Sequence, residues 1–395
     1  MSLLSGMKNL EEKSCHCALN RIFGFKPKVG LALISHMGSA SDVFRLSERE
    51  LETLLGPHSP FARQIRPEAA EAASRELAEL ERLDIRFIGW NEADYPPLLH
   101  ECEDAPIGMY VRSTTPMHEL WAPRRRISVV GTRDLTHYGR EWCVRTVAGM
   151  SSSKEKPTIV SGLALGTDIC AHRTALECGL PTIAVMATGP EAVYPYRHTG
   201  FAEKLYRTPG CALITDYPPG TAPLALHFLR RNRIIAGLSD ATILIESRTK
   251  GGGMMTSRLA FSYSRDVYAL PGRLDDPCSQ GCNVLIRSKI AEPIVSVEGL
   301  LESLDLGKSI PHNVHSYKDA VISAYRNTQS PETIGMLAEI AGVIRKDRGI
   351  TLDEIAVRTG MDYRTVSFLA GLLEADGFIS IDILQRCSLD IGKFR

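Results

Sequence analysis

Short apolar runs alternate with segments of helical periodicity through the middle of the chain. Each run is four to six residues long and is rich in valine, isoleucine or alanine. The runs cover residues 127–130, 158–161, 182–186, 212–215, 241–246 and 266–270. Strands that alternate with helices in this way form βαβ units around a parallel sheet. The pattern therefore predicts an α/β domain with a doubly wound parallel sheet over residues 96–306.

The region before this domain has helical periodicity. Apolar side chains recur at intervals typical of helices, glycines separate short helical segments, and residues 67–83 form a longer amphipathic stretch. We expect a flexible leader over residues 1–17, followed by a small helical domain over residues 18–95.

The region after the α/β domain begins with a polar stretch. Residues 307–330 contain prolines and histidines and are predicted to be a linker. The order helix, helix, turn, helix and short strand follows over residues 331–395. This order predicts a winged-helix-like domain.

Composition places the chain among ordinary globular proteins, with 44% hydrophobic and 23% charged residues. No apolar run approaches the roughly 20 residues that span a bilayer, and the first residues lack a signal-peptide pattern. We therefore expect a cytoplasmic protein without a membrane span. The close cysteine pairs, Cys15 with Cys17 and Cys278 with Cys282, have no second pair at zinc-ligand spacing, so reduced, packed thiols and no metal site are expected.

The charge is distributed unevenly, although the net charge of the whole chain is zero. Residues 121–290 contain 22 lysines and arginines against 13 aspartates and glutamates, a net charge of +9. The rest of the chain contains 24 against 33, a net charge of −9. Such asymmetry favours a polyanionic ligand on the central domain, although a solvated basic face without a partner has the same signature.

Glycine-rich bends follow several predicted strands. They contain Gly131, Gly162, Gly166 and the triple glycine at residues 251–253. Backbone N–H groups in such bends can close on a phosphate, and the helix that follows adds its positive end. Ligands of doubly wound sheets bind at the carboxyl ends of the strands, so these bends predict a phosphate-binding edge.

Two basic segments accompany the bends. Arg230-Arg231-Asn232-Arg233 leads into an apolar helical face, and Tyr194-Pro195-Tyr196-Arg197 follows the third strand. Guanidinium groups bind phosphates as planar forks, and aromatic rings stack on unpaired bases. A solvated charge run and a proline turn with packed tyrosines remain the alternative interpretations of these segments.

No catalytic arrangement is readable in the sequence. The bend at Gly131 is not a GxGxxG motif and lacks a ribose-binding acid about 20 residues on, so no dinucleotide cofactor is expected. His172 and His227 lack metal-ligand spacing, and Asp168 is explained by a helix N-cap. The sequence predicts no catalytic residue, no cofactor and no metal.

Six motifs in order give the central domain a specific resemblance. They lie at residues 130–133, 161–172, 187–195, 228–239, 256–260 and 271–286. With these motifs the chain resembles the DprA (Smf) family of bacterial DNA-processing proteins. The resemblance implies an extended Rossmann-like domain, with a sterile-alpha-motif-like (SAM-like) helical domain before it and a winged-helix-like domain behind it. It also implies a non-catalytic, homodimeric protein that binds and shields single-stranded DNA and helps to load the RecA recombinase during natural transformation.

The family's DNA contacts carry over to individual positions. The arginine of its glycine-turn motif falls on Arg133, and its Arg-Asn motif on Arg231 and Asn232. The basic residue that usually follows Tyr-Pro is Tyr196 here, so the contact is in doubt or has moved to Arg197. The predicted DNA-binding residues are Gly131, Thr132, Arg133, Gly162, Gly166, Arg197, Arg230, Arg231, Asn232, Arg233, Gly252, Gly253, Thr256 and Asn283.

Another departure concerns residues 251–253, where the family has Ser-Gly-Ser or Ser-Gly-Thr. Backbone N–H donors remain there, and Thr256 is the candidate for the missing hydroxyl.

Two other functions stay open at this point. A nucleotide-processing hydrolase of the lysine-decarboxylase-like type has a similar fold, but no glutamate lies between Glu246 and Asp266 to act as its general acid or base. A double-stranded DNA regulator would use the C-terminal domain, but acidic residues surround Arg364 in the predicted recognition helix.

Overall fold

The computed structural model describes residues 2–306, 317–347 and 349–389. The chain divides into two compact units, Met1–Ser309 and Ile310–Arg395.

A nine-stranded mixed sheet forms the centre of the first unit. Its strands follow the order β1-β2-β6-β5-β4-β3-β7-β8-β9. Their bounds are β1 Ile85–Gly89, β2 Gly108–Arg112, β3 Arg126–Val130, β4 Thr158–Ser161, β5 Thr182–Val185, β6 Ala212–Thr215, β7 Ala241–Leu244, β8 Asp266–Ala269 and β9 Glu292–Pro293. Within the run β6-β5-β4-β3-β7-β8-β9 every pair of neighbouring strands is parallel, whereas β1 pairs with β2, and β2 with β6, in antiparallel fashion.

The six strands predicted from the sequence are confirmed, and their order explains where a ligand can bind. From β3 the chain moves outward through β4, β5 and β6, and it then returns to β7 on the other side of β3. Ligands of doubly wound sheets bind beside such a reversal, at the edge where the parallel strands end. We call this edge the carboxyl rim.

Helices cover both faces of the sheet. The bounds in the first unit are α1 Ser2–Phe23, α2 Pro27–Met37, α3 Ala40–Val43, α4 Glu48–Leu55, α5 Pro67–Glu81, α6 Pro97–His100, α7 Met117–Leu120, α8 His137–Ser151, α9 Thr167–Glu177, α10 Thr199–Arg207, α11 Ala225–Gly237, α12 Gly252–Ser262, α13 Gln280–Arg287 and α14 Val297–Ser303. Helices α8, α9 and α14 pack on one face, and α11, α12 and α13 pack on the other. Because both faces are covered, the central strands are continuous apolar runs, as in β3 with the buried residues Ile127 and Val129.

The N-terminal helices share a core with the sheet. Leu19 and Phe23 of α1 belong to the same buried cluster as Ile107 and Ile214. The Asn20 side chain donates to the Asp216 carbonyl oxygen at 2.8 Å and accepts from the Gly108 N–H at 3.3 Å. These contacts bind α1 to the antiparallel end of the sheet.

The structure differs from two sequence predictions about this region. Residues 2–17 of the expected leader lie in α1, and Cys15 and Cys17 are buried. The boundary expected at residue 95 does not separate two compact units, because β1 pairs with β2 and extends the sheet. Short edge strands inside a helical pattern are ambiguous, since a run of five residues fits either period.

The second unit has the order of a winged helix. Its elements are α15 Tyr317–Tyr325, α16 Pro331–Lys346, β10 Ile350–Thr351, α17 Leu352–Thr359, α18 Tyr363–Ala375, β11 Ile379–Ile381 and β12 Arg386–Leu389. The strands form a three-stranded sheet in the order β10-β12-β11. Thr351 and Glu354 make a capping box at the start of α17, and Asp362 caps α18 through the Thr365 N–H at 3.1 Å.

The predicted linker over residues 307–330 is partly helical. Helix α15 lies within it, Val321 and Tyr325 are buried in the core of the second unit, and the Tyr325 hydroxyl donates to Asp376 at 2.6 Å. Helix α15 is only nine residues long and follows a stretch that contains prolines and histidines, so its periodic signal is too short to predict a helix. Residues 307–316 of the predicted linker lie outside the described residues.

Among the described residues, no helix combines the length and apolar character that crossing a membrane requires.

We expect Asn20→Ala to lower the free energy of unfolding of the first unit by about 1–3 kcal/mol, because it leaves the buried Gly108 N–H and Asp216 carbonyl without partners. Urea unfolding of the full chain, followed by tryptophan fluorescence, measures the change. The exposed Gln280→Ala, a change far from α1 in the chain, is the control, with an expected change of less than about 0.5 kcal/mol. Equal stabilities for both variants would show that α1 contributes nothing through this contact.

Candidate nucleic-acid interface

Three elements meet at the carboxyl rim through glycine backbones. A Cβ at Gly253 would lie 3.2 Å from the Gly131 Cα, so the start of α12 packs directly on the end of β3. A Cβ at Gly131 would lie 2.4 Å from Thr167 Oγ1, at the start of α9. Gly166 has a φ of +73°, and a Cβ there would lie 2.3 Å from the Thr132 carbonyl oxygen. The close packing of these segments against one another therefore requires glycine at these positions, whether or not a ligand also binds there.

The N-terminus of α12 is open to solvent. Gly252 is exposed, and the first turn of α12 has neither an acidic residue nor a side-chain cap. Its N–H groups are the unpaired donors at the positive end of the helix. The nearest side-chain atom to a Cβ at Gly252 would be the Asn232 Nδ2, at 4.0 Å. Asn232 is 8% exposed. In the described part of the chain, its side-chain amide forms no hydrogen bond with another protein group.

Two other helix N-termini at this rim, those of α8 and α9, already have carboxylates. Glu246, which follows β7 and is buried, accepts hydrogen bonds from the Thr136 N–H at 3.0 Å and the Thr136 hydroxyl at 2.5 Å, at the start of α8. A Cβ at Gly139 would lie 2.3 Å from Glu246 Oε2, so the carboxylate fills this space. Asp168 lies in the first turn of α9. Of α8, α9 and α12, only α12 can receive an external anion without competition from an acidic side chain.

Arg231 lies beneath the rim and is 3% exposed. Its Nη1 donates to the Gly162 carbonyl oxygen at 2.6 Å and to the Val185 carbonyl oxygen, where β4 and β5 end. Burial lowers the pKa of its guanidinium to about 10, an effect that the Asp168 charge opposes. Burial also raises the pKa of Asp168, and here the Arg231 charge opposes the shift. In this structure the Arg231 Nη1 thus serves the protein's own backbone, and the predicted contact of Arg231 with a phosphate stays a prediction.

The two flanking arginines are also used internally. Arg233 forms an ion pair with Asp216 at 2.5 Å and donates to the Asp104 carbonyl oxygen. Arg230 donates to the Gly24 carbonyl oxygen, and its guanidinium carbon lies 4.0 Å from the centroid of the Phe25 ring. These side chains attach α11 to the N-terminal helices and to the region around Asp104, and their predicted contacts with DNA stay predictions.

Thr256 and Asn283 have internal partners as well. The Thr256 hydroxyl is buried and donates to the Gly252 carbonyl oxygen at 3.2 Å within α12. The Asn283 side chain accepts from the Gly272 N–H at 3.3 Å and donates to the Gly272 carbonyl oxygen at 3.0 Å. Thr256 thus completes a helical turn and Asn283 holds the turn at Gly272, and their predicted contacts with DNA stay predictions.

Arg133 is exposed beside two aromatic rings. Its guanidinium carbon lies 5.1 Å from the centroid of the Phe228 ring, and the Phe228 and Tyr194 rings lie 5.4 Å apart at an angle of 60°. Tyr194 is 46% exposed, and no acidic side chain in the described part of the chain pairs with Arg133. We call Arg133, Tyr194 and Phe228 the aromatic platform.

Other predicted residues lie close to the platform in the chain. Tyr196 is 85% exposed, and Arg197 beside it is also exposed. The Thr132 hydroxyl accepts the Asp134 N–H at 3.1 Å and thus shapes the bend that carries Arg133. The sequence identified Arg133 and Tyr194 separately, but their link through Phe228, and the neutralisation of α8 by Glu246, were missed because both join residues about 100 positions apart.

The rim combines an open helix N-terminus, an exposed guanidinium and exposed aromatic rings. Within the described residues, no group of three or more histidine, cysteine, aspartate or glutamate side chains is arranged to hold a metal ion. Two carboxylates at the rim, Glu246 and Asp168, are buried against their own partners, whereas Asp134 beside Arg133 is exposed. This chemistry suits the binding of phosphates and unpaired bases.

The fold and the rim thus define a Rossmann-like α/β protein with an open helix N-terminus at the carboxyl ends of its strands, and comparison with known proteins identifies its family. Residues 86–305 match the family described as DNA recombination-mediator protein A, and the chain belongs to that family. It is 31% identical to Protein Smf of Escherichia coli over 304 residues, which is 77% of each chain.

It is also 35% identical to the DNA processing protein DprA of Streptococcus pneumoniae over 193 residues, 49% of this chain and 65% of that protein. The X-ray structure of DprA from Streptococcus pneumoniae superposes with a TM-score of 0.62 at 27% identity and covers 72% of this chain and 95% of that one. The resemblance and the fold class predicted from the sequence are both confirmed.

We expect Gly162→Ala to destabilise the first unit by about 1–3 kcal/mol, because the new methyl group would lie 2.4 Å from the buried Arg231 Nη1. Gly200→Ala is the control, since a Cβ there meets no atom within 4 Å. Chemical unfolding of both variants measures the difference. A Gly162→Ala protein as stable as the wild type would show that the position of the Arg231 side chain at the ends of β4 and β5 is not fixed by the space that Gly162 leaves.

Proposed function

We propose that the chain binds single-stranded DNA along the carboxyl rim with little sequence preference. The observation that carries the proposal is Arg133, an exposed guanidinium on an aromatic ring. Phosphate contacts give affinity without base readout, so a strand held in this way is bound whatever its sequence.

The first step of the proposal concerns the phosphates. A phosphate at the N-terminus of α12 would accept hydrogen bonds from the open N–H groups near Gly252 and from the free side-chain amide of Asn232. Arg133 supplies a charge to a neighbouring phosphate. The net charge of +9 over residues 121–290 adds a long-range attraction for the strand.

The second step concerns the bases. Tyr194 and Phe228 offer ring faces and edges beside Arg133, and Tyr196 is almost wholly exposed on the same loop. Stacking on an aromatic side chain contributes about 1–3 kcal/mol per base and tolerates every base. Bases paired in a duplex are not available for such stacking, which favours single strands.

The relatives' names support a role in DNA processing, and we propose the finer role from the family resemblance. In this role the chain works in the cytoplasm as a homodimer, shields incoming single strands during transformation and helps the RecA recombinase to load on them, without a catalytic step of its own. RecA filament formation on strands coated with single-strand-binding protein, with and without the chain, tests the loading step.

The two alternative functions receive less support. A hydrolase would need an accessible carboxylate near residues 251–253, but none occurs between Glu246 and Asp266, and Glu246 itself is buried at the start of α8. In the second unit, the exposed Arg364 of α18 lies beside the capping carboxylate of Asp362, which disfavours a principal duplex reader.

We expect Arg133→Ala to weaken binding of oligothymidine, oligocytidine and oligoadenosine alike, by about 10- to 100-fold, because a charged hydrogen bond to phosphate contributes about 1.5–3 kcal/mol. Fluorescence anisotropy with labelled strands measures the affinities, and the slope of log K against log salt should fall by about 0.7. Lys154→Ala, in the loop before β4 and hence at the opposite edge of the sheet, is the control of equal charge. Unchanged affinity for all three strands would refute the proposal, as would a loss confined to one sequence.

Substitutions at Tyr194 separate the contribution of base stacking to affinity from that of charge. Tyr194→Ala should weaken oligothymidine binding by about 1–3 kcal/mol, whereas Tyr194→Phe should retain most of the affinity because the ring remains. With an abasic strand of the same length, wild type and Tyr194→Ala should bind equally. A difference that persists on the abasic strand would show that Tyr194 acts on the backbone.

A further inference from the structure

A cleft of about 400 Å³ lies on the outer face of α12, next to its open N-terminus. Its walls combine three apolar side chains, two cations and a glycine. They are Met254, Met255, Leu259, Lys250, Arg258 and Gly251. Nothing in the proposed contacts at Arg133 uses this cleft.

Helical spacing brings these side chains together. Positions 251, 254, 255 and 258 recur at intervals of three and four residues, so they share one face of α12. Met254 is buried, while Met255 is 39% exposed and forms the accessible floor with Leu259. Methionine side chains are flexible and polarizable and adapt to flat groups of different shape, so this floor suits any nucleobase.

The cations of the cleft are unpaired. Lys250 and Arg258 are exposed, and across the described ranges neither has an ion pair or a side-chain hydrogen bond. From residue 247 to residue 265 the sequence contains Arg248, Lys250, Arg258 and Arg265 but no acidic residue. Arg265 is bound to Glu101 and Arg248 contacts the Cys278 thiol, which leaves Lys250 and Arg258 to face an external anion.

The cleft is continuous with the candidate DNA interface. Gly251 is the N-cap of α12 and also lines the cleft, and Gly252 next to it faces Asn232. A strand with one phosphate at this helix end therefore has the cleft within reach of its next nucleotide.

We propose that this cleft is a second subsite for single-stranded DNA, which extends the path of the strand past the N-terminus of α12. One base lies on Met255 and Leu259, and the adjoining phosphates lie between Lys250 and Arg258. The inference rests on the proposed function, and it assigns the direction in which a longer strand continues.

The test is a length series of oligothymidines, from about 4 to about 20 nucleotides, bound to the full chain. Lys250→Ala/Arg258→Ala should bind the shortest strands like the wild type and the longest strands about tenfold more weakly at low salt, with a salt slope reduced by about 1.4 for two lost phosphate contacts. Lys154→Ala/Lys156→Ala removes the same charge from the loop before β4 and should bind every length like the wild type.

Met255→Glu tests the floor independently of the two cations. Because Met255 is partly exposed, the fold should tolerate the change, and the carboxylate should repel the strand. This variant should also lose affinity only on the longer strands.

The proposal is overturned if the double variant loses the same factor at every length, or if it loses nothing at any length. The second result is also expected if the cleft serves an acidic protein segment instead. Arg133→Ala distinguishes a failure of the second subsite from a failure of the proposed function. If Arg133→Ala weakens all lengths while the double variant binds normally, only the second subsite fails; if Arg133→Ala also has no effect, the proposed function fails.

Discussion

A buried guanidinium beneath the carboxyl rim holds the parts of the interface in place. Arg231 reaches from α11 to the carbonyl oxygens at the ends of β4 and β5, where Gly162 leaves room for it and Asp168 supplies the opposite charge. A buried charge is tolerated only when its donors and its charge are both compensated, so these groups fix one another. Helix α11 also carries Phe228 and Asn232, which meet the rim where this contact sets them.

The second organising principle is the distribution of carboxylates among helix ends. Each helix that begins at the rim presents a partial positive charge to the same small region. Glu246 accepts a hydrogen bond at the N-terminus of α8 and compensates its positive end, and Asp168 lies in the first turn of α9. Helix α12 begins with glycines and has no acid in its first turn. Of these three helix ends, the protein's own acids thus leave that of α12 for an external anion, on the side of the rim where Asn232 lies.

The arginines of residues 230–233 show that neighbouring cations in the sequence can have structural roles inside the fold. Arg230, Arg231 and Arg233 bind internal oxygens and connect the N-terminal helices, the sheet and α11. The cations that face solvent are dispersed in the sequence and occur singly, as Arg133 and Arg197 do. The positive charge of the central domain therefore has two roles: part of it stabilises the fold, and part of it is available to a ligand.

The sequence by itself determined the central strands, the helices between them, the order of the C-terminal elements and the glycine bends, because period and turn chemistry are local properties. It also determined the family, through six ordered motifs. Only the tertiary structure decided that residues 85–89 extend the sheet and that α15 belongs to the second unit, since short elements take their state from the partners they pack against. It likewise decided that Arg231, Thr256 and Asn283 face inward while Arg133 faces outward, because the direction of a side chain depends on neighbours far away in the chain.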